Sequence, residues 1–167
     1  MDLEYYRKQF YLEAKEILDR VCQDILKAEA DPEDKELLNA IFRGIHTIKG
    51  SAGSFELGPL SEFAHHLENL LDKIRNGQIR LNSEIVDILL SAVDHMAKMV
   101  NDCEKGCGPE IDLKIVEDIK EICDQRKDIP EKKVKEVNRG EETKRPEENA
   151  RLSIPQPLME SLKGYAS

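Results

Sequence analysis

His46, Lys49, Gly50 and Gly53 lie within eight residues of one another, in a stretch whose apolar residues recur every three or four positions. A neutral imidazole is a good nucleophile near physiological pH and can carry a phosphoryl group on a ring nitrogen. A lysine three residues on brings a mobile ammonium beside such an anion. Gly50 and Gly53, four and seven residues beyond His46, share its side of a helix and leave a strip of bare backbone beside it. Together with Gly44 they make three glycines in ten residues, each costing about 1 kcal/mol relative to alanine in a helix interior. Something must offset that cost. Either the strip receives a phosphorylated imidazole's partner protein, or the glycines let helices pack closely and His46 is a solvated surface residue.

A second segment supplies acidic and imidazole groups. His65, Glu68 and Asp72 fall at i, i+3 and i+7, on the border of another apolar stripe. A carboxylate that accepts a hydrogen bond from one imidazole nitrogen fixes the tautomer and leaves the other lone pair free. Glu68 is the candidate for that role, although alone it reads more readily as an exposed helix charge. His66 is expected to face water, and His95 to be a packing or surface histidine.

Other chemistries are poorly supported. Glu62 and His65 match the Glu-x-x-His spacing of di-metal bundles, but no second copy occurs. Cys103 and Cys107 could form half a metal site, yet Gly106, Gly108 and Pro109 end a helix there and no ligand quartet is visible. No metal is expected. Phosphate-cradling loops and hydrolase elbows are absent from the sequence, so the chain is not expected to bind ATP itself.

These groups must be positioned by helices. Leu3, Tyr6, Phe10, Ala14, Ile17, Val21 and Ile25 predict a first helix over residues 3–28. Asp31 and Pro32 offer a cap and first turn for a second helix over 32–56, carrying Ile41, Ile45, Ile48, Ala52 and Phe55 inward. A third spans 59–76 and stops at Asn76-Gly77. A fourth, capped by Asn82 or Ser83, ends before Gly106, and Ile111, Ile115, Ile119 and Ile122 predict a weaker fifth. Long one-sided helices with short connections predict an all-α fold, an antiparallel up-and-down four-helix bundle with an additional C-terminal helix and a charged flexible tail. The bundle and fifth helix occupy residues 1–123. Residues 124–150, with eight charges of each sign among 27 residues, read as a linker. Residues 151–167 read as a short amphipathic tail, either a docking peptide or the start of a further domain.

The 167-residue chain carries a net charge of −9. The linker is neutral and the tail is +1, which leaves −10 on residues 1–123. Such acidity argues against a nucleic-acid partner, because no basic stripe exists to displace counterions. No apolar run is long enough for membrane insertion, and the acidic N-terminus lacks a signal-like core. A cytoplasmic location with reduced thiols is expected.

Residues 42–72, FRGIHTIKGSAGSFELGPLSEFAHHLENLLD, closely resemble the histidine-phosphotransfer (Hpt) domain at the N-terminus of CheA-type chemotaxis kinases. The resemblance implies that His46 is the phosphorylated residue and that Lys49 assists transfer. It also implies that Glu68 hydrogen-bonds the His46 ring and that His65 belongs to the same network. Gly50 and Gly53 match the family's glycines and, with Arg43 and Ser54, make up the implied docking surface. Glu56 stands where many relatives carry glycine and adds negative charge beside it. The implied partners are a histidine kinase ATP-binding domain and a response-regulator receiver domain, with ATP and Mg²⁺ bound on those partners and no cofactor on this chain. Only the first module of such kinases is matched. The competing expectation is a helical adaptor that does not use its Hpt site.

Overall fold

The computed structural model describes residues 2–125; the expectations for residues 126–150 of the linker and for the 151–167 tail lie outside them. Five helices follow in order: α1 (Leu3–Ala30), α2 (Lys35–Ser54), α3 (Gly58–Arg75), α4 (Ser83–Glu104) and α5 (Leu113–Gln125). The last of these runs two residues past position 123, so Asp124 and Gln125 belong to a helix and not to the linker.

Local sequence sets the helix ends. Asp2 caps α1 by accepting from the Glu4 N–H, Asp34 caps α2 through the Leu37 N–H, and Asn82 caps α4 through the Ile85 N–H. The second helix therefore starts three residues later than the Asp31-Pro32 signal predicts. Asp31 instead closes α1, its N–H bonding the Lys27 carbonyl. Both aspartates flank the same turn, and Asp34 is the one whose carboxylate reaches the third helical N–H. At the other ends, Gly77 and Gly106 take positive φ angles of 77° and 76° and terminate α3 and α4.

Connections of four, three and seven residues join α1 to α4 and are too short for anything but antiparallel neighbours. The first helix packs on α2 and α4, α2 on α3, and α3 on α4, which closes the ring; α5 lies against both α3 and α4. Ile41, Ile45, Ile48, Phe63, Leu67 and Met96 are among the fully buried side chains at its centre. No polar or charged side chain is fully buried among the described residues.

The stripe on α1 differs from its simplest reading. Leu3 and Tyr6 are exposed, Ile17 is only half-buried, and Tyr11 and Leu18 are buried instead. A helix held by neighbours on two sides buries two adjacent rows of residues, so the single row inferred from a 3.6-residue period is too narrow. The inward row of α2 is buried as expected through Ile41, Ile45, Ile48 and Ala52. That orientation turns Arg43, His46, Thr47, Gly50, Gly53 and Ser54 outward as one exposed stripe.

Candidate functional site

His46 sits midway along α2 with 59% of its side chain exposed, while Glu68, on the adjoining face of α3, is only 13% exposed. His46 Nδ1 lies 2.8 Å from Glu68 Oε2. An ionised carboxylate only accepts, so Nδ1 carries the proton and Nε2 keeps its lone pair. The other oxygen, Oε1, accepts from Lys49 Nζ at 2.9 Å. Burial pushes the Glu68 carboxyl up, but the hydrogen bonds and charges of Lys49 and His46 outweigh it and hold the group below the ordinary carboxylate range. One sheltered anion thus holds both an imidazole and an ammonium.

This arrangement refines the role expected of Lys49. Its ammonium is bonded to Glu68 and not free beside the ring, although an ammonium has three donors and one bond uses only one. His65 is not joined to the network. It is exposed and lines an open cleft with Lys49, Gly53, Glu56, Gly58, Ser61 and Glu62, and no hydrogen bond links it to His46 or Glu68 among the described residues. It shares the face of Glu68 on α3, whose two oxygens bond His46 and Lys49.

The three glycines of α2 separate into two kinds. A Cβ on Gly44 would come within 2.6 Å of Val21 Cγ2 and 3.2 Å of Ile17 Cγ2, so this glycine lets α1 and α2 approach. Nothing lies within 4 Å of a Cβ built on Gly50, and only Ser61 Oγ, at 3.7 Å, lies near one on Gly53. Packing therefore explains Gly44 and leaves Gly50 and Gly53 as open backbone beside the imidazole. Ser54 donates to the Gly50 carbonyl at 3.1 Å, while Ser61 reaches across from α3 to the Lys49 carbonyl at 3.2 Å. Arg43 occupies the far end of the stripe, where it borders a cleft with Asp24, Asp34 and Glu36. Glu56 adopts φ 58°, a left-handed conformation that favours glycine, and turns the chain from α2 into α3.

Sequence spacing alone does not reveal a second set of contacts at His46. The Phe42 ring, one turn earlier on α2, stacks near-parallel to the imidazole, with centroids 5.9 Å apart and planes 12° apart. The Arg75 guanidinium carbon lies 3.8 Å from the Phe42 centroid, and Arg75 bonds Asp72 at 2.7 Å. The i, i+4 spacing of Phe42 and His46 was the available signal; the arrival of Arg75 from α3 had none.

The remaining histidines are accounted for elsewhere. His66, expected to face water, is half-buried, and burial together with the charge of Lys120 on α5 lowers its pKa against the pull of Glu62. His95 packs edge-to-face on Phe63 at 5.0 Å, and its Nε2 lies 2.9 Å from the Glu110 carbonyl and 3.1 Å from the Asp112 amide. It anchors the connection into α5. No three His, Cys, Asp or Glu side chains gather as a metal would require, and no helix is long and apolar enough to cross a membrane, among the described residues.

Comparison with known proteins places the chain in a family. The chain is similar to the chemotaxis protein CheA of Bacillus subtilis, with 38% of residues identical over 113 positions, which cover 68% of this chain and 17% of that protein. The chain therefore spans less than a fifth of the length of that relative. The solution structure of the histidine phosphotransfer domain of CheA superposes with a TM-score of 0.64 at 35% identity, covering 71% of this chain and 92% of that domain. The phosphorylated P1 domain of CheA3 from R. sphaeroides, in complex with CheY6, shares the fold with a TM-score of 0.64 at 20% identity, covering 72% of this chain and 98% of that one. The sequence profile of the Hpt domain matches residues 6–103, which takes in α2, α3 and the His46–Glu68–Lys49 cluster, and the chain belongs to the Hpt domain family.

Proposed function

We propose that this chain is a phosphoryl carrier in a chemotaxis-like phosphorelay, with His46 as the residue that is phosphorylated. The carrying observation is the exposed imidazole whose Nδ1–H is held by Glu68 at 2.8 Å. In the loading step the Nε2 lone pair attacks the γ-phosphorus of ATP held by a histidine kinase ATP-binding domain. A nitrogen–phosphorus bond forms, the bond from phosphorus to the bridging oxygen breaks, and its electron pair leaves with ADP. The ring gains positive charge as this happens, and the Glu68 carboxylate offsets it without taking the proton. In the unloading step a carboxylate oxygen of a response-regulator receiver domain attacks phosphorus, and the electron pair of the breaking bond returns to Nε2.

The partners supply ATP and Mg²⁺, and this chain supplies position and charge. Lys49 compensates charge on the transferring oxygens with the donors that Glu68 leaves free. Gly50 and Gly53, flanked by Ser54 and at the far end by Arg43, form the surface on which either partner docks. A receiver-type partner is supported by the complex of the CheA3 P1 domain with CheY6. A cytoplasmic location is part of this reading, and the net charge of −9 disfavours nucleic acid.

The test uses Bacillus subtilis CheA lacking the segment that this chain matches, supplied with radiolabelled ATP and Mg²⁺. The wild-type chain should acquire acid-labile, base-stable label and the His46→Gln variant none, with both equally helical by circular dichroism. Equal labelling of the two, or no label on the wild-type chain, would sink the proposal.

A further inference from the structure

The hydrogen bond to Glu68 fixes one atom of the His46 ring but does not by itself set the plane of the ring. Phosphoryl transfer needs more than this, because the Nε2 lone pair must point at phosphorus in line with the leaving oxygen. The Phe42 ring meets the imidazole with planes 12° apart, and such a contact defines the plane in which the lone pair lies. Phe42 is itself only half-buried, so the core alone does not hold it. Arg75 does, with its guanidinium carbon 3.8 Å from the ring centroid. A planar cation laid on an aromatic face is a favourable and oriented contact. Asp72 in turn holds Arg75 through the 2.7 Å bond to its Nη2.

We infer that Phe42, seated by Arg75 and Asp72, is a positioning residue that sets the plane of the His46 imidazole for phosphoryl transfer. The inference rests on the reading of His46 as the phosphoacceptor. Glu68 and Phe42 then constrain different degrees of freedom: the carboxylate selects the tautomer, and the phenyl ring selects the direction of attack. Neither Phe42 nor Arg75 touches the phosphoryl group, so both act through His46.

Full-length Phe42→Leu, Phe42→Tyr and Arg75→Gln variants test this with two donors. The first donor is the CheA kinase portion described above with ATP and Mg²⁺, which presents phosphorus in one fixed orientation. The second is phosphoramidate, a small donor that loses ammonia as the nitrogen–phosphorus bond to His46 forms and approaches from any permitted angle. Phe42→Leu keeps an apolar side chain but removes the flat face, and should lower kcat with the kinase about tenfold with KM within about twofold. Its rate with phosphoramidate should stay within about twofold of wild type, because an untethered donor needs no preset lone-pair direction. Phe42→Tyr should keep the wild-type kcat, and Arg75→Gln should lose about threefold. The inference is overturned by a Phe42→Leu kcat within twofold of wild type, by an equal loss with both donors, or by a change confined to KM. A wild-type chain that takes no label at His46 from either donor overturns the phosphoacceptor reading itself, a result separate from these.

Discussion

Gly44 and Gly50 lie on the same helix, six residues apart, and do opposite things. Gly44 is a point of contact, where a single methyl group would strike Val21 and Ile17 of α1. Gly50 is a point of access, with nothing within 4 Å of where a methyl would sit. Val21 is β-branched and stiff about χ1, so the first site cannot yield cheaply. The second pays a helix-propensity penalty with no packing in return. The same residue type thus serves cohesion on one side of α2 and leaves bare backbone on the other.

The largest test of this contrast fills the open side. Gly50→Leu places a side chain on the bare strip beside His46 and should reduce transfer from the kinase by about a hundredfold, chiefly through docking geometry. Helix content and thermal midpoint should hold or rise, since leucine is a far better helix former. Normal labelling of that variant would show that no partner uses the strip. At the cohesive position, Gly44→Ala should destabilise the bundle by up to about 2 kcal/mol, the overpacking cost less the gain in helix propensity. Urea titration would measure it, and the folded fraction should still transfer normally.

A smaller effect of opposite sign is expected for Gly50→Ala, which should stabilise the protein by about 1 kcal/mol. If it destabilised instead, the strip would be packed after all. The smallest effect concerns pH. Glu68 has a folded-state pKa below that of the unfolded chain, so its pairing with Lys49 and His46 adds stability above about pH 4.3, the ordinary glutamate value. That contribution is lost as pH falls through the depressed value. Gly44 is surrounded by aliphatic carbon, so acid should not act there. Stability measured against pH should therefore lose part of its acid slope in Glu68→Gln and keep it in Gly44→Ala.

Much of the architecture was legible because it is local. Four-residue apolar periods, Asn82 at a cap and glycines past helix ends are each decided within about one turn of chain. The exposure of His46 followed from the inward row of Ile41, Ile45 and Ile48, since one face of a helix fixes the other. The misplaced start of α2 is also a local matter, a competition between Asp31 and Asp34 that propensity alone leaves nearly balanced. The two-row burial of α1 was less accessible, because it depends on how many neighbours a helix has.

Sequence by itself determined the helices, the histidine on an outward face and the presence of an acidic side chain one helix on. Tertiary structure decided which glycine packs and which stays bare, that Glu68 takes both His46 and Lys49, that His65 stands apart, and that Arg75 seats Phe42. The physical reason is that periodicity fixes the direction in which a side chain leaves its own helix. What it meets there depends on the rotation and register of the neighbouring helix, and those are set only when the whole core packs.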